Sequence, residues 1–375
     1  MRIAHIGQKG IPATFGGIEY HVDHVSRRQA RRGHDVRVYV RDWYTPKGLT
    51  DYEGVRLIHV PTIRTKHLDA TVHTFLSTLH CLFQKTDIIH YHAIGPSAFA
   101  FIPRLFGRRT VTTVHRLDWG AEKWGAAAKF LLKCGEWLGL RTARQAIAVS
   151  ADIRTYIESV HGRKAFLIPN GVDIRRPRPP ALIKDKYGLQ GQDFVLFMGR
   201  LTPEKRVHWL IRSFLEVKKA VSPARGLKLV ISGGTSATAA YVEELHGLGQ
   251  GDPGILFTGY VTGQEKEELL TNALLFVLPS SLEGYPIALL EAKSFGSGAL
   301  ASDIPPHREV IRDGVDGFLF KSGEPDDLTD KLRRLVTNPA LVEQAGRASR
   351  EAMRGRPSWD EVLDKILEAY ASAMS

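Results

Sequence analysis

Short apolar runs alternate with amphipathic stretches along the whole chain. In the first half the runs fall at residues 2–6, 35–40, 55–60, 87–92, 110–115, 146–150 and 165–169, each the length of a buried strand. Between them the apolar spacing is helical, over 18–32, 69–85, 95–106, 123–144 and 151–160, with Ile18, Val22 and Val25 on one stripe and Gly33 as a stop. Strands separated by helix-length segments predict βαβ units and a parallel sheet. At 174–183 the sequence IRRPRPPALI, with three prolines and three arginines, suits neither a helix nor a central strand and reads as a linker. The alternation then restarts with runs at 194–199, 227–232, 255–259, 274–279, 298–302 and 317–320, and the chain closes on an amphipathic helix from Trp359 to Met374.

The expected architecture is therefore α/β, two Rossmann-like doubly wound domains. Residues 1–173, joined by the last helix (358–375), form one; 184–357 form the other. In such sheets ligands sit beyond the carboxyl ends of the strands, which places the working cleft between the domains.

Composition narrows the function. With 375 residues, 43% apolar and 24% charged, the chain is an ordinary globular protein rather than a disordered or coiled-coil one. Two cysteines, Cys81 and Cys134, cannot build a disulfide framework and fit a reducing compartment. No run approaches the length of a bilayer span, and no secretory leader is expected, so the expected address is the cytoplasm. The net charge of +11 is uneven: residues 1–180 carry 28 basic against 14 acidic side chains, and residues 181–375 carry 23 against 26. A basic half suits lipid head groups, diphosphates or nucleic acid, and equally serves solubility. The basic residues are dispersed and no recognition module appears, which disfavours nucleic acid.

The most specific motif is PSSLEGYPIALLEAKSFG, residues 279–296. A strand ends at Pro279, a turn carries Glu283, Gly284 and Tyr285, and Pro286 is expected at the first helical position. Backbone N–H groups at such a helix start suit a diphosphate. Glu291 lies eight residues beyond Glu283, up to ~12 Å along a helix axis at ~1.5 Å per residue. That separation is too long for an acid/base pair on one bond and suits a long ligand held at both ends; alone, Glu291 is equally a solvated helix charge.

The second motif, residues 197–214, places Gly199, Arg200 and Lys205 in the loop after a strand, a bidentate fork and a point charge for phosphate. The third, residues 7–22, is glycine-rich and departs from the dinucleotide fingerprint; Gly16 and Gly17 precede a helix with Glu19 in its first turn. The fourth sets His115 and Asp118 after the strand 110–114, though a histidine there is as often merely packed. No Asp-x-Asp occurs and no histidine spacing resembles a zinc site, so no metal is expected.

With these residues in place, the chain resembles the retaining GT-B glycosyltransferases of family 4 over nearly its whole length. The matching pieces are Gly16-Gly17, His115, Pro169-Asn170-Gly171-Val172-Asp173, Gly199-Arg200-Leu201 with Glu204-Lys205, and Glu283 to Glu291. The resemblance implies that Arg200 and Lys205 hold the donor diphosphate, Glu283 meets the transferred sugar, and Glu291 holds the ribose. It further implies that Gly16, Gly17 and His115 close on phosphate and sugar, and that the last helix crosses back to the first domain. The opening G-x-x-GIPA-x-x-GG-x-E, with HYHAIGP, TVHRLDW and EKWG, is similar to a bacterial subgroup that includes rhamnosyltransferases of surface-polysaccharide assembly using dTDP-rhamnose. Two positions depart from the family: Arg206 where glycine usually follows Glu-Lys, and Arg116 where glycine is common after the histidine.

The expectation is sugar transfer from a nucleoside-diphosphate donor to a saccharide acceptor, with a polyprenyl-diphosphate-linked one as a candidate, and with no cofactor; Glu19 and Asp118 are acceptor-side candidates. Helix 123–144 mixes Trp124, Phe130, Leu131, Trp137 and Leu138 with Lys123, Lys129, Lys133, Arg141 and Arg144, and suits either an anionic membrane surface or a core with a basic outer face. The competing readings are a nucleotide-sugar epimerase of the same architecture and a transferase acting on a small soluble acceptor.

Overall fold

In the computed structural model all residues are described except 66–67, 121–124, 225 and 235–237. The chain divides into two compact units, Met1–Gly171 with Pro357–Ser375, and Val172–Arg356. The first unit contains β1 (Arg2–Ile6), α1 (Gly17–Arg31), β2 (Asp35–Val40), β3 (Asp51–Tyr52), β4 (Val55–His59), α2 (Leu68–Leu82) and β5 (Ile88–His92). It continues through α3 (Ile94–Ser97), α4 (Phe101–Leu105), β6 (Thr110–Val114), α5 (Ala126–Thr142), β7 (Gln145–Ala148), α6 (Ala151–His161) and β8 (Phe166–Leu167). The sheet order is β3-β4-β2-β1-β5-β6-β7-β8, parallel except for the β3–β4 pair. That pair is a tight hairpin turned by Glu53 and Gly54, both at positive φ, a turn that no Asn-Gly signal marks in the sequence. The single helix expected over 95–106 is instead α3, a short 3-10 turn and α4, since Pro103 has no N–H to continue the ladder.

The second unit contains α7 (Leu182–Tyr187), β9 (Phe194–Met198), α8 (Val207–Ala220), β10 (Lys228–Ser232), α9 (Ala239–Gly249), β11 (Ile255–Gly259) and α10 (Gly263–Asn272). Then follow β12 (Leu275–Leu278), α11 (Ile287–Phe295), β13 (Ala299–Ser302), α12 (Pro305–Arg308), β14 (Phe318–Phe320), α13 (Pro325–Val336) and α14 (Pro339–Arg354). Its sheet, β11-β10-β9-β12-β13-β14, is wholly parallel. Strands β9 and β12 are buried at every position, as a parallel sheet covered on both faces requires. The stretch expected as a linker belongs to this unit: Arg175 and Arg178 both hold Glu267 on α10, and helix α7 already starts at Leu182.

The final helix, α15 (Trp359–Met374), is part of the first unit. Trp359, Val362, Leu363, Ile366 and Tyr370 recur at helical spacing and enter one core with Ile3, Val25, Ile88, Val111 and Ile147. Burying such an apolar side chain contributes ~1.5–3 kcal/mol. Five of them rival the ~5–15 kcal/mol net stability of a domain, so α15 is integral to the first unit. Ser358 starts it with a capping box to Glu361.

Candidate active site

Each sheet reverses its strand order at one point, between β1 and β5 in the first unit and between β9 and β12 in the second. Loops leaving the carboxyl ends of strands at such a point diverge and leave a crevice. In the second unit the sequence motifs occupy that position. Gly199 follows β9, and Arg200 and Lys205 lie in the loop before α8; Glu283, Gly284 and Tyr285 lie between β12 and α11. The loops are joined because the Glu204 carbonyl accepts hydrogen bonds from the backbone N–H (2.8 Å) and hydroxyl (3.2 Å) of Ser281.

That junction brings Lys205 Nζ against Glu283 Oε1 in an ion pair in which both side chains are about nine-tenths buried. Burial pushes the Glu283 carboxyl up, and the Lys205 ammonium, the His307 ring and the hydrogen bonds from Lys205 and Ser280 together more than offset it, so Glu283 is held below the usual carboxylate range. Arg200 has no side-chain hydrogen bond or ion pair among the described residues, so its five donors are uncommitted. Pro286 is the N-cap of α11, one residue before the position expected, and its carbonyl accepts the Leu289 and Leu290 amides. Glu291, about one turn into the helix, pairs with Lys266 of α10 at 2.6 Å. Tyr285 is buried and its hydroxyl accepts from Arg356 at 3.0 Å.

Two neighbours of the site escape sequence reading. Lys266 sits in an ordinary polar helix, and only the packing of α10 on α11 makes it the partner of Glu291. His307 on α12 is fully buried; its Nδ1 donates to the Ser302 carbonyl (2.8 Å), its Nε2 has no partner among the described residues, and burial pushes it down to about 4 despite the field of Glu283.

In the first unit, Gly16 caps α1 at φ 101, where a Cβ would meet the Glu19 carboxylate at 1.9 Å. Gly17 opens the helix. Glu19 is buried and accepts from the backbone N–H (2.9 Å) and ammonium (3.2 Å) of Lys9. It thus braces the glycine loop, and its surroundings are not those of an exposed acceptor-binding carboxylate. Asp118 is engaged by Arg116 at 3.1 Å. His115 is buried beside His92, with His92 Nδ1 and His115 Nε2 3.1 Å apart. Sequence spacing hid a cluster here. His5, His21, His90, His92 and His115 come from two strands, a helix and a strand end, and form two triads with ring nitrogens within 4.8 Å: His5, His90, His92 and His21, His92, His115. Burial depresses all five pKa values, to about 4 for His5 and His21 and well below the ordinary imidazole value for the rest.

Residues 15–176 match the family described as Glycosyltransferase Family 4, and residues 181–352 match Glycosyl transferases group 1, so the two sheets with their site loops are matched in turn. The chain belongs to the family 4 glycosyltransferases. The alpha-maltose-1-phosphate synthase of Mycolicibacterium smegmatis is 26% identical over 402 residues, covering 99% of each chain. Among solved structures, sucrose-phosphate synthase from Thermosynechococcus elongatus superposes with TM-score 0.83 at 18% identity, covering 99% of this chain and 98% of that one. Anabaena HepE, in complex with UDP and glucose, gives 0.81 at 19%, covering 99% and 100%. These likenesses give the glycosyltransferase its GT-B fold.

One departure from the family pattern has a local explanation in this glycosyltransferase. Arg206 sits at φ 52, in the left-handed region that favours glycine, and its guanidinium lies 5.1 Å from the Trp209 ring centroid. The backbone turn of the glycine pattern is kept, and the cation is directed along α8.

Helix α5 also departs from a core helix. Only Glu136, Gly139 and Leu140 are buried, whereas Phe130, Leu131 and Trp137 are 67%, 69% and 53% exposed. The inner face is held by Glu136, which accepts from Trp119 (3.0 Å), Tyr156 (2.7 Å) and His161 (2.8 Å). Lys123 and Trp124 lie outside the described residues. Among the described residues no helix is long and apolar enough to cross a membrane.

Proposed function

We propose that this glycosyltransferase moves a hexosyl group, with rhamnose as the first candidate, from a nucleoside-diphosphate donor to a saccharide hydroxyl with retention of anomeric configuration. The observation that carries this reading is the Lys205–Glu283 pair beside the uncommitted Arg200, at the reversal point of the second sheet. As the glycosidic bond breaks, negative charge grows on the diphosphate, and fixed cations and amides aimed there stabilise it without reorganising. Arg200 and Lys205 take this role with the start of α11, where the N–H groups of Gly284 and Tyr285 lie. Once Lys205 turns to phosphate, Glu283, already ionised, is released to accept a hydroxyl of the transferred sugar. Glu291 exchanges Lys266 for the ribose hydroxyls. The departing phosphate takes the proton of the attacking hydroxyl on the same face. In the first unit Gly16, Gly17 and His115 are assigned to the phosphate and sugar of this donor. HepE, of the same fold, is a complex with UDP and glucose, which favours a nucleotide donor.

The acceptor is assigned as a lipid-linked saccharide. The first unit exposes Phe83, Leu105 and Phe106 in addition to the outer face of α5; Phe83 and Phe106 line one hollow with Arg108 and Arg109, and Arg141 lies over the Trp137 ring. Apolar side chains interleaved with cations suit an anionic bilayer surface. Sedimentation with anionic but not neutral vesicles is expected; equal recovery with both removes this part. For the donor, a thermal-shift screen with dTDP, UDP, GDP and their sugars should raise the melting temperature with at least one nucleotide, because ligands of the native state stabilise it. No shift with any would sink the reading, and a converted sugar formed without acceptor would favour an epimerase.

A further inference from the structure

The buried histidines of the first unit form a hydrogen-bonded chain whose direction can be read from one end. Gln29 of α1 turns its Oε1 to His5 Nε2 (2.7 Å) and its amide nitrogen to the Tyr370 hydroxyl (3.3 Å). An amide oxygen only accepts, so His5 carries its proton on Nε2, and its Nδ1 is a lone pair. His92 Nε2, 2.9 Å away, donates to that lone pair. Burial keeps these rings neutral, and a neutral imidazole has a single N–H; His92 Nδ1 is therefore an acceptor, and His115 Nε2 donates to it across 3.1 Å. The second branch agrees. The Tyr370 hydroxyl, accepting from Gln29, donates to His90 Nδ1 at 2.7 Å, and His90 Nε2 donates to the Thr113 hydroxyl at 2.7 Å.

We propose that His92 and His5, anchored by Gln29, are positioning residues that lock His115 as its Nε2–H tautomer, leaving Nδ1 as an acceptor for a sugar hydroxyl. The arrangement orients rather than conducts. A proton entering at His115 Nδ1 and passed along the chain would arrive at the amide oxygen of Gln29, which does not hold it. It also disfavours a divalent cation in the His21, His92, His115 triad, because the facing nitrogens of His92 and His115 share one proton instead of offering two lone pairs. Only the identity of the hydroxyl rests on the glycosyl-transfer reading; the tautomer stands by itself.

Histidine nitrogen-15 labelling with two-bond proton correlation reads the tautomers in the wild-type protein at neutral pH. The Nε2–H form is expected at His5, His92 and His115; an Nδ1–H signal at His115, or a stoichiometric metal in the purified protein, overturns the proposal. A glutamine at 92 keeps the direction, its amide donating to His5 and its carbonyl accepting from His115, whereas leucine breaks it. His92→Leu is expected to lower turnover about tenfold or more, and His92→Gln less than about threefold. Wild-type turnover in folded His92→Leu, or equal losses in both, contradicts the positioning role. If the wild type turns over no nucleotide sugar, the glycosyl-transfer reading falls while the tautomer measurement still decides this one.

Discussion

The two units share a parallel, doubly wound sheet with one reversal of strand order, yet the chemistry at the two reversal points is opposite. In the first, the strand ends carry imidazoles kept neutral by burial, linked to one another and to amide and hydroxyl groups, while the ions of its loops, Lys9 with Glu19 and Arg116 with Asp118, are paired with each other. In the second they are ions: Lys205 with Glu283, Lys266 with Glu291, and the uncommitted Arg200. Neutral imidazoles suit uncharged hydroxyls, whereas an ionic lining suits a diphosphate, whose charge would otherwise be costly to desolvate.

If this contrast is functional, the largest effect lies in the second unit. Arg200→Ala and Lys205→Ala are each expected to cut turnover about a hundredfold or more, as loss of a charge-stabilising donor does. Steady-state kinetics beside a thermal melt checks this, and near-normal turnover in both folded variants would erase the contrast. Next comes Lys293, fully buried on α11 and bound to the carboxylate (2.8 Å) and carbonyl (2.9 Å) of Asp316 and the carbonyl of Val310 (2.8 Å). Lys293→Ala takes the buried donor from the Val310 and Asp316 carbonyls and leaves the Asp316 carboxylate to Arg312, whose Nε lies 3.1 Å away, and is expected to cost about 3 kcal/mol in denaturant unfolding. Acid should then separate the units. An imidazole held neutral when folded takes up a proton first in the unfolded chain. Its stabilising contribution is therefore complete above its ordinary pKa of about 6.5 and is lost as pH falls toward 4, at up to about 1.4 kcal/mol per pH unit for each ring. Six such rings are in the first unit, His73 with the five of the cluster, against His307 in the second, so between pH 6.5 and 4 hydrogen exchange should rise there before the second unit opens. The smallest effect is that of Arg206→Gly, which relieves the left-handed residue and should stabilise by about 1 kcal/mol or less, net of the lost Trp209 contact, with activity kept.

Much of this was legible in the residues. Alternating periodicity located both sheets, and α15 begins and ends at the expected residues, because a helix with one apolar stripe and a capping serine is specified locally. Glu283, Arg200 and Lys205 were visible since each follows an apolar strand directly. Contacts made by packing were not: Lys266 meets Glu291 only where α10 lies on α11, and the histidine chain joins α1, β1, β5 and the end of β6, positions up to 110 residues apart whose spacing carries no periodic signal. The contact of Glu19 was hidden for a related reason: its carboxylate folds back over Gly16 onto Lys9, ten residues earlier.

The most direct test of the central claim is a crystal structure of the protein with a nucleoside-diphosphate sugar bound. The pyrophosphate is expected against Arg200, Lys205 and the amides before α11, with the ribose on Glu291 and Lys266 released. A nucleotide seated away from residues 199–205 and 283–291 would contradict it.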